Sequence, residues 1–235
     1  MRGRGRPHLG AMADEPPRFA RSERVFNAPA VAVALAVSMP VLFWLQLRLP
    51  GEGIDWALRP AAVLDGAWWQ LITVMLLHGG WGHVAMNAIG ALTFGAAVAR
   101  LLPGMRGVGA FLAFYIVCGV LAGLGYVAIH PDSGQALVGA SGAVFGLIGG
   151  ATRLLGGGGR VLPLKDRRVV SASLAWMGLN AFVGLIGFAP GADGASIAWE
   201  AHAAGFIAGL LLIGPWVRLY GPRFDSSADL GDPPL

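Results

Sequence analysis

Charge is scarce in this chain: Asp, Glu, Lys and Arg make up 13% of its residues, where a soluble domain carries about a quarter. Cysteine is nearly absent. Cys118 stands alone, so no intramolecular disulfide can form, and its place inside an apolar run reads as packing. Acidic groups are missing from every long apolar run, since Asp132 and Asp193 fall in connections and Glu200 at a helix start. That absence argues against a transporter or channel built around intramembrane carboxylates, and against an intramembrane aspartyl protease. No His-Glu-x-x-His occurs, which argues against a zinc protease, and the glycine run from Gly156 to Gly159 lacks the Lys-Ser or Lys-Thr of a phosphate loop. A metal site from His78, His83 and His202 would have no acidic or thiolate partner, so neither metal nor other cofactor is expected.

What is present is apolar. Hydrophobic residues make up 55% of the chain and the mean hydropathy is +0.63, values of a protein that lives in lipid. Uncharged runs at 28–47, 71–99, 107–131, 133–152, 169–192 and 201–217 are each long enough, or nearly so, to cross a hydrocarbon core of about 30 Å at about 1.5 Å per residue. The reading is an all-α membrane protein with six transmembrane helices in a single domain over 28–220. Residues 1–27, rich in Arg, Pro and Gly, and 221–235 read as disordered tails. No cleavable signal peptide is evident, because the first apolar run begins near residue 28 and continues to spanning length.

Basic residues stay on the cytoplasmic side of membrane proteins. Of 17 Lys and Arg, only Arg48 and Arg59 fall in the loops that six spans would place outside, so 15 favour both termini in the cytoplasm. The isoelectric point near 10.0 follows from that topology and is no sign of nucleic-acid binding.

Between the first two spans lies a connection of about thirty residues, too long to be idle in a compact membrane domain. Trp56, Trp68 and Trp69 suit it to a membrane interface, so it reads as an element lying partly in the outer leaflet. The run 71–99 exceeds one span, and Gly79-Gly80 should break it so that a helix starts near Trp81 or Gly82. His83 and Asn87 then share one helix face, either as glue between helices or as part of a site.

The run 133–152 holds Ser141 among Gly139, Gly142, Gly146, Gly149 and Gly150. Glycine disfavours a helix by about 1 kcal/mol per position, so this density calls for close approach of another helix. His202, Gly205 and Gly209 form a matching stripe in the last span. Packed stripe to stripe, the two helices bring the Ser141 hydroxyl toward the His202 imidazole, a nucleophile beside a base. The alternative for Ser141 is a packing residue bonded to its own backbone. With an amino terminus inside, the second, fourth and sixth spans all run inward, and His83, Asn87, Ser141 and His202 lie at one depth near the outer surface. The Ser141 N–H, the His83 ring and the Asn87 amide are then available as oxyanion donors. Asn180, in the fifth span, is an interior polar group without an evident task.

Gly139-Ala-Ser141-Gly142, Ala201-His202-Ala-Ala-Gly205 with Gly209, and His83-x-x-x-Asn87 preceded by His78 together resemble the rhomboid intramembrane serine proteases, in span order over about 28–220. The resemblance implies a six-helix rhomboid-like bundle and a Ser141/His202 dyad without a third acidic member. It implies an oxyanion site from Ser141, His83 and Asn87, and cleavage of single-span membrane proteins near the outer face, with a preference for Gly or Pro near the cut. It further implies that the long connection is a membrane-embedded loop, and that the fifth span with the outer loop 189–196 forms a substrate gate. Two positions depart from the family's pattern. Trp69-Gln70 stands where many members have Trp-Arg, which bears on how the loop is held, and Phe145 stands where a tyrosine often stacks on the base. The nearest alternative is an inactive rhomboid-like protein that binds membrane clients; such proteins commonly lack the Ser or the His, and both are here. Short tails and Ala/Gly/Arg-rich composition suggest a bacterial plasma membrane.

Overall fold

The computed structural model describes residues 27–187 and 198–222. Hydropathy dictates helices here, because a backbone in lipid must satisfy its polar groups internally. Eight α-helices result among the described residues: α1 (Ala30–Gln46), α2 (Pro60–Leu64), α3 (Gln70–Thr73), α4 (Trp81–Ala99), α5 (Gly104–Ile129), α6 (Ser141–Thr152), α7 (Arg167–Ile186) and α8 (Trp199–Tyr220). Helices α4, α5, α7 and α8 are long and apolar enough to cross a membrane; α1 and α6 are apolar but shorter. The described residues form no strand, only one antiparallel bridge between Leu58 and Leu137.

The fourth span differs from its expectation. Instead of a helix over 133–152, residues 131–140 are irregular and the helix begins at Ser141. Gly139 sits at φ +132, a conformation L side chains rarely adopt, so the chain turns there and winds into α6 only afterwards. At 12 residues, α6 is about 18 Å long and does not cross a bilayer alone. It is instead the central helix, with Ala143, Leu147 and Gly149 among its buried residues.

Glycine explains how tightly α6 is held. A Cβ on Gly205 would collide with the Gly142 carbonyl, one on Gly209 with the Gly146 carbonyl, and one on Gly149 with the Phe206 carbonyl. Backbone therefore meets backbone along α6 and α8, as the two stripes require. The other side of α6 rests on α5, where Gly146 faces Cys118 and Gly142 faces Ala122. Cys118 is fully buried and packs in the apolar core.

The long connection is built rather than loose. It contains 3₁₀ segments at Pro50–Trp56 and Val74–Leu76 besides α2 and α3. Leu58 exchanges two backbone hydrogen bonds with Leu137 (2.9 and 2.8 Å), and Gly139 N–H donates to the Val74 carbonyl at 3.0 Å. The loop and the irregular segment before α6 thus satisfy each other's polar backbone. Leu58, Leu71, Val74 and Met75 are buried, while Trp56, Trp68 and Trp69 are exposed at the apolar rim. Gln70, at the position of the missing arginine, is buried, and its Oε1 accepts from the Arg59 N–H at 2.9 Å. At the neck, Gln46 Nε2 donates to the His78 carbonyl (2.9 Å) and His78 N–H donates to Gln46 Oε1 (2.8 Å).

After α6, the glycine-rich connection to α7 is tied down by arginines. Arg153 donates from Nε to the Leu162 carbonyl (2.8 Å) and from a terminal nitrogen to the Leu210 carbonyl of α8 (3.1 Å). Asp166 then caps α7, its Oδ1 accepting from the Arg168 backbone N–H at 2.9 Å. The Arg168 side-chain hydrogen bonds hold that carboxyl down at about 2. Within α7 only Val169 and Asn180 are buried. The outer loop 189–196, read as part of a gate, lies outside the described residues.

Candidate active site

A cavity of about 440 Å³ opens among α4, α6, α7 and α8, and its lining includes His83, Asn87, Ser141, Asn180 and His202. Its walls are otherwise apolar, with Met86 and Ile89 from α4 and Leu179 and Val183 from α7. Such a mixture, an apolar cleft with a few convergent polar groups, is the usual form of a ligand or active site.

Ser141 is the first residue of α6, so its backbone N–H is one of the helix's unclosed donors and stands at the positive end of the helix dipole. Its Oγ lies 2.8 Å from His202 Nε2, a full hydrogen bond between side chains 61 positions apart. The contact exists because Gly142, Gly205 and Gly209 let the two backbones touch. Phe145, one turn below Ser141, lies flat against His202 with ring centroids 4.4 Å apart and planes inclined by 4°. Its ring thus occupies the stacking position without a hydroxyl.

Asn180 fills the remaining side of the imidazole. Its Oδ1 is 3.1 Å from His202 Nδ1, and its Nδ2 donates to the Trp199 carbonyl at 2.8 Å. Sequence reasoning missed this contact. A lone Asn in an apolar helix has no spacing signature, and its partner lies 22 positions away on another helix.

His83 stands across Gly139 from the serine. A Cβ at Gly139 would come within 2.6 Å of the His83 ring and 3.6 Å of Ser141 Oγ, so a side chain there would intrude between the two groups. The Gly79 N–H donates to His83 Nδ1 at 3.4 Å. Asn87 is buried one turn below, and its Nδ2 donates to the His83 carbonyl of its own helix at 3.1 Å while lining the cavity. His78 is buried behind His83, with ring centroids 5.4 Å apart and edge-on packing against Phe43. It does not line the cavity, and neither of its ring nitrogens has a hydrogen-bond partner among the described residues. Among those residues no three His, Cys, Asp or Glu side chains gather as metal ligands would. His130 and Glu200 pair at 3.3 Å where α5 ends and α8 begins, outside the cavity lining.

The arrangement of hydroxyl, imidazole, amide and helix N-terminus has the parts acyl transfer needs: a nucleophile, a base within reach of it, and donors nearby. Comparison with known proteins agrees in kind. Residues 65–218 match the Rhomboid domain family. The chain is 28% identical over 185 residues to the rhomboid YdcA of Bacillus subtilis (strain 168), covering 77% of this chain and 85% of that protein. It is 30% identical over 130 residues to the rhomboid protease GluP of the same organism, covering 52% of this chain and 24% of GluP. It is also 31% identical over 168 residues to RHOMBOID-like protein 5 of Arabidopsis thaliana, covering 72% of this chain and 50% of that protein. The match contains the helices that carry Ser141, His202, His83 and Asn87, and with the helical bundle it establishes that this integral membrane protein belongs to the rhomboid family, among relatives that include proteases.

Proposed function

We propose that the chain is an intramembrane serine endopeptidase that cleaves transmembrane segments of single-span membrane proteins near the outer face, with Ser141 as nucleophile and His202 as base. The observation that carries this reading is the 2.8 Å contact between Ser141 Oγ and His202 Nε2 inside a cavity bounded by apolar helices. A serine hydroxyl is a poor nucleophile until a base takes its proton, and a neutral imidazole suits that task. Ser141 Oγ attacks the scissile carbonyl as His202 Nε2 removes the proton. The tetrahedral oxyanion is met by the Ser141 N–H, the His83 ring and the Asn87 amide, and each such donor is worth about 100-fold or more in rate. His202 then hands the proton to the departing amine, and the acyl-enzyme is hydrolysed by a water that His202 deprotonates in turn. Asn87 leaves its helix-backbone acceptor to reach the oxyanion.

Substrate would enter between α4 and α7, where the cavity wall is apolar and α7 is least embedded. An intact helix shields its peptide bonds, so segments with Gly or Pro near the cut are the preferred class. The basic-residue asymmetry supports a plasma membrane orientation with both termini cytoplasmic. No cofactor and no nucleic acid enter this scheme; its partners are the lipid bilayer and membrane-protein substrates.

The test is cleavage of a transmembrane substrate carrying a helix-destabilised segment by purified wild type, Ser141→Ala and His202→Ala. Both variants are expected to lose at least about 1,000-fold in kcat. Full activity of Ser141→Ala ends the proposal. Labelling of the wild type, but not of Ser141→Ala, by a fluorophosphonate separates the enzyme from a client-binding protein that keeps the fold without the chemistry.

A further inference from the structure

We infer that Asn180 is a positioning residue that sets the tautomer of His202, an inference that rests on the serine-protease reading above. The Trp199 carbonyl can only accept a hydrogen bond. The Asn180 group 2.8 Å from it must therefore be the NH₂, which turns the amide oxygen toward His202. That oxygen also only accepts, so the His202 nitrogen 3.1 Å away, Nδ1, must carry the ring proton. A neutral imidazole has one proton, so Nε2 is bare and accepts from the Ser141 hydroxyl at 2.8 Å. One backbone carbonyl thus fixes a chain of donors and acceptors that ends with the serine proton aimed at a free lone pair. Without Asn180, nothing in this chain of bonds forbids the proton from sitting on Nε2, where it would point at Ser141 and leave no base.

Burial strengthens the assignment. Asn180 is 4% exposed, and both ends of its amide are used. Phe145 fixes the plane of the imidazole but offers it no hydrogen bond, so plane and tautomer are set by different residues. Asn180 lines the cavity, but both of its hydrogen bonds go to Trp199 and His202 and neither goes to the serine. It acts through His202, and because it rides on α7 the base is correctly protonated only while α7 is docked against α8.

The experiment uses the full-length protein in detergent micelles, with Asn180→Ala, Asn180→Leu, Asn180→Asp and, in parallel, Ser141→Ala. Nitrogen-15 spectra of the histidine side chains, assigned by His202→Ala, report which ring nitrogen is protonated. In the wild type His202 is expected to be protonated on Nδ1, and in Asn180→Ala on Nε2. Cleavage by Asn180→Ala and Asn180→Leu is expected to fall about 30-fold or more in kcat with KM within about two-fold, because a wrong tautomer removes the base without removing a substrate contact. Asn180→Asp keeps an acceptor oxygen and is expected to stay within about five-fold of wild type. Protonation of His202 on Nε2 in the wild type overturns the inference, and that measurement needs no variant to fold. So does a kcat of Asn180→Ala within about three-fold of wild type. If Ser141→Ala is inactive while Asn180→Ala is normal, only the role of Asn180 falls; if Ser141→Ala is fully active, the protease reading falls with it.

Discussion

Phe145 isolates what a ring can do for an imidazole without a hydroxyl to help it. It lies parallel to His202 at a centroid distance of 4.4 Å, and Asn180 and Ser141 occupy the two imidazole nitrogens. The stack therefore restrains rotation of the ring out of the plane in which both hydrogen bonds are straight. Aromatic pairs of this kind are worth about 0.5–1.5 kcal/mol beyond their buried area, which bounds the effect at roughly ten-fold in rate. Phe145→Ala is expected to lower kcat by about that factor, while Phe145→Tyr, which restores the commoner ring, should change it by less than about two-fold. Steady-state cleavage by the two variants checks the pair; a ten-fold gain from tyrosine would show that the missing hydroxyl matters. At this scale the sequence was only partly legible. Ser141, His202, His83 and Asn87 stand out because small residues or helical spacing accompany them. Asn180 and Gln46 carry no such company, and their partners are set by tertiary packing alone.

At the scale of elements, the pairing of α6 with α8 governs where those side chains can be. Their contact is made by backbone, and backbone cannot give way as a flexible side chain can. Gly209→Ala would drive a methyl into the Gly146 carbonyl and is expected to destabilise the protein by about 2 kcal/mol or more, with loss of cleavage as Ser141 and His202 separate. Gly109→Ala is the contrast, since nothing lies within 4 Å of the place its Cβ would take. Alanine there should be neutral or stabilising by a few tenths of a kcal/mol, on helix propensity alone. Thermal unfolding of both variants in one detergent separates the two cases; equal midpoints would contradict the packing described. The glycine stripes were readable because a helix penalises glycine and something must compensate. The true start of α6 was not. Hydropathy registers that residues 133–140 lack charge but not that Gly139 takes a left-handed turn, or that Leu137 and Gly139 bond to the long loop.

For the whole molecule, the run of apolar segments was enough to predict a six-helix membrane bundle, and the family match over 65–218 agrees with it. The orientation of that bundle rests on charge alone, and it is testable because the native thiol is out of reach: Cys118 is fully buried. Single cysteines at Asp65 and Arg160, both exposed, report the two sides of the membrane. An impermeant maleimide added to intact cells is expected to label Asp65→Cys, and to label Arg160→Cys only after permeabilisation. The opposite pattern would invert the topology and place the cavity's polar groups on the inner side.

The paired bonds between Gln46 and His78 join positions 32 apart, so the whole excursion from the end of α1 to the start of α4 is laced shut at its root by one side-chain amide. The body of that excursion is still stitched to the segment before Ser141, through Leu58 with Leu137 and Val74 with Gly139. The tryptophan-bearing tip can therefore be lengthened, shortened or made greasier to suit a different lipid only so long as those two backbone seams stay closed.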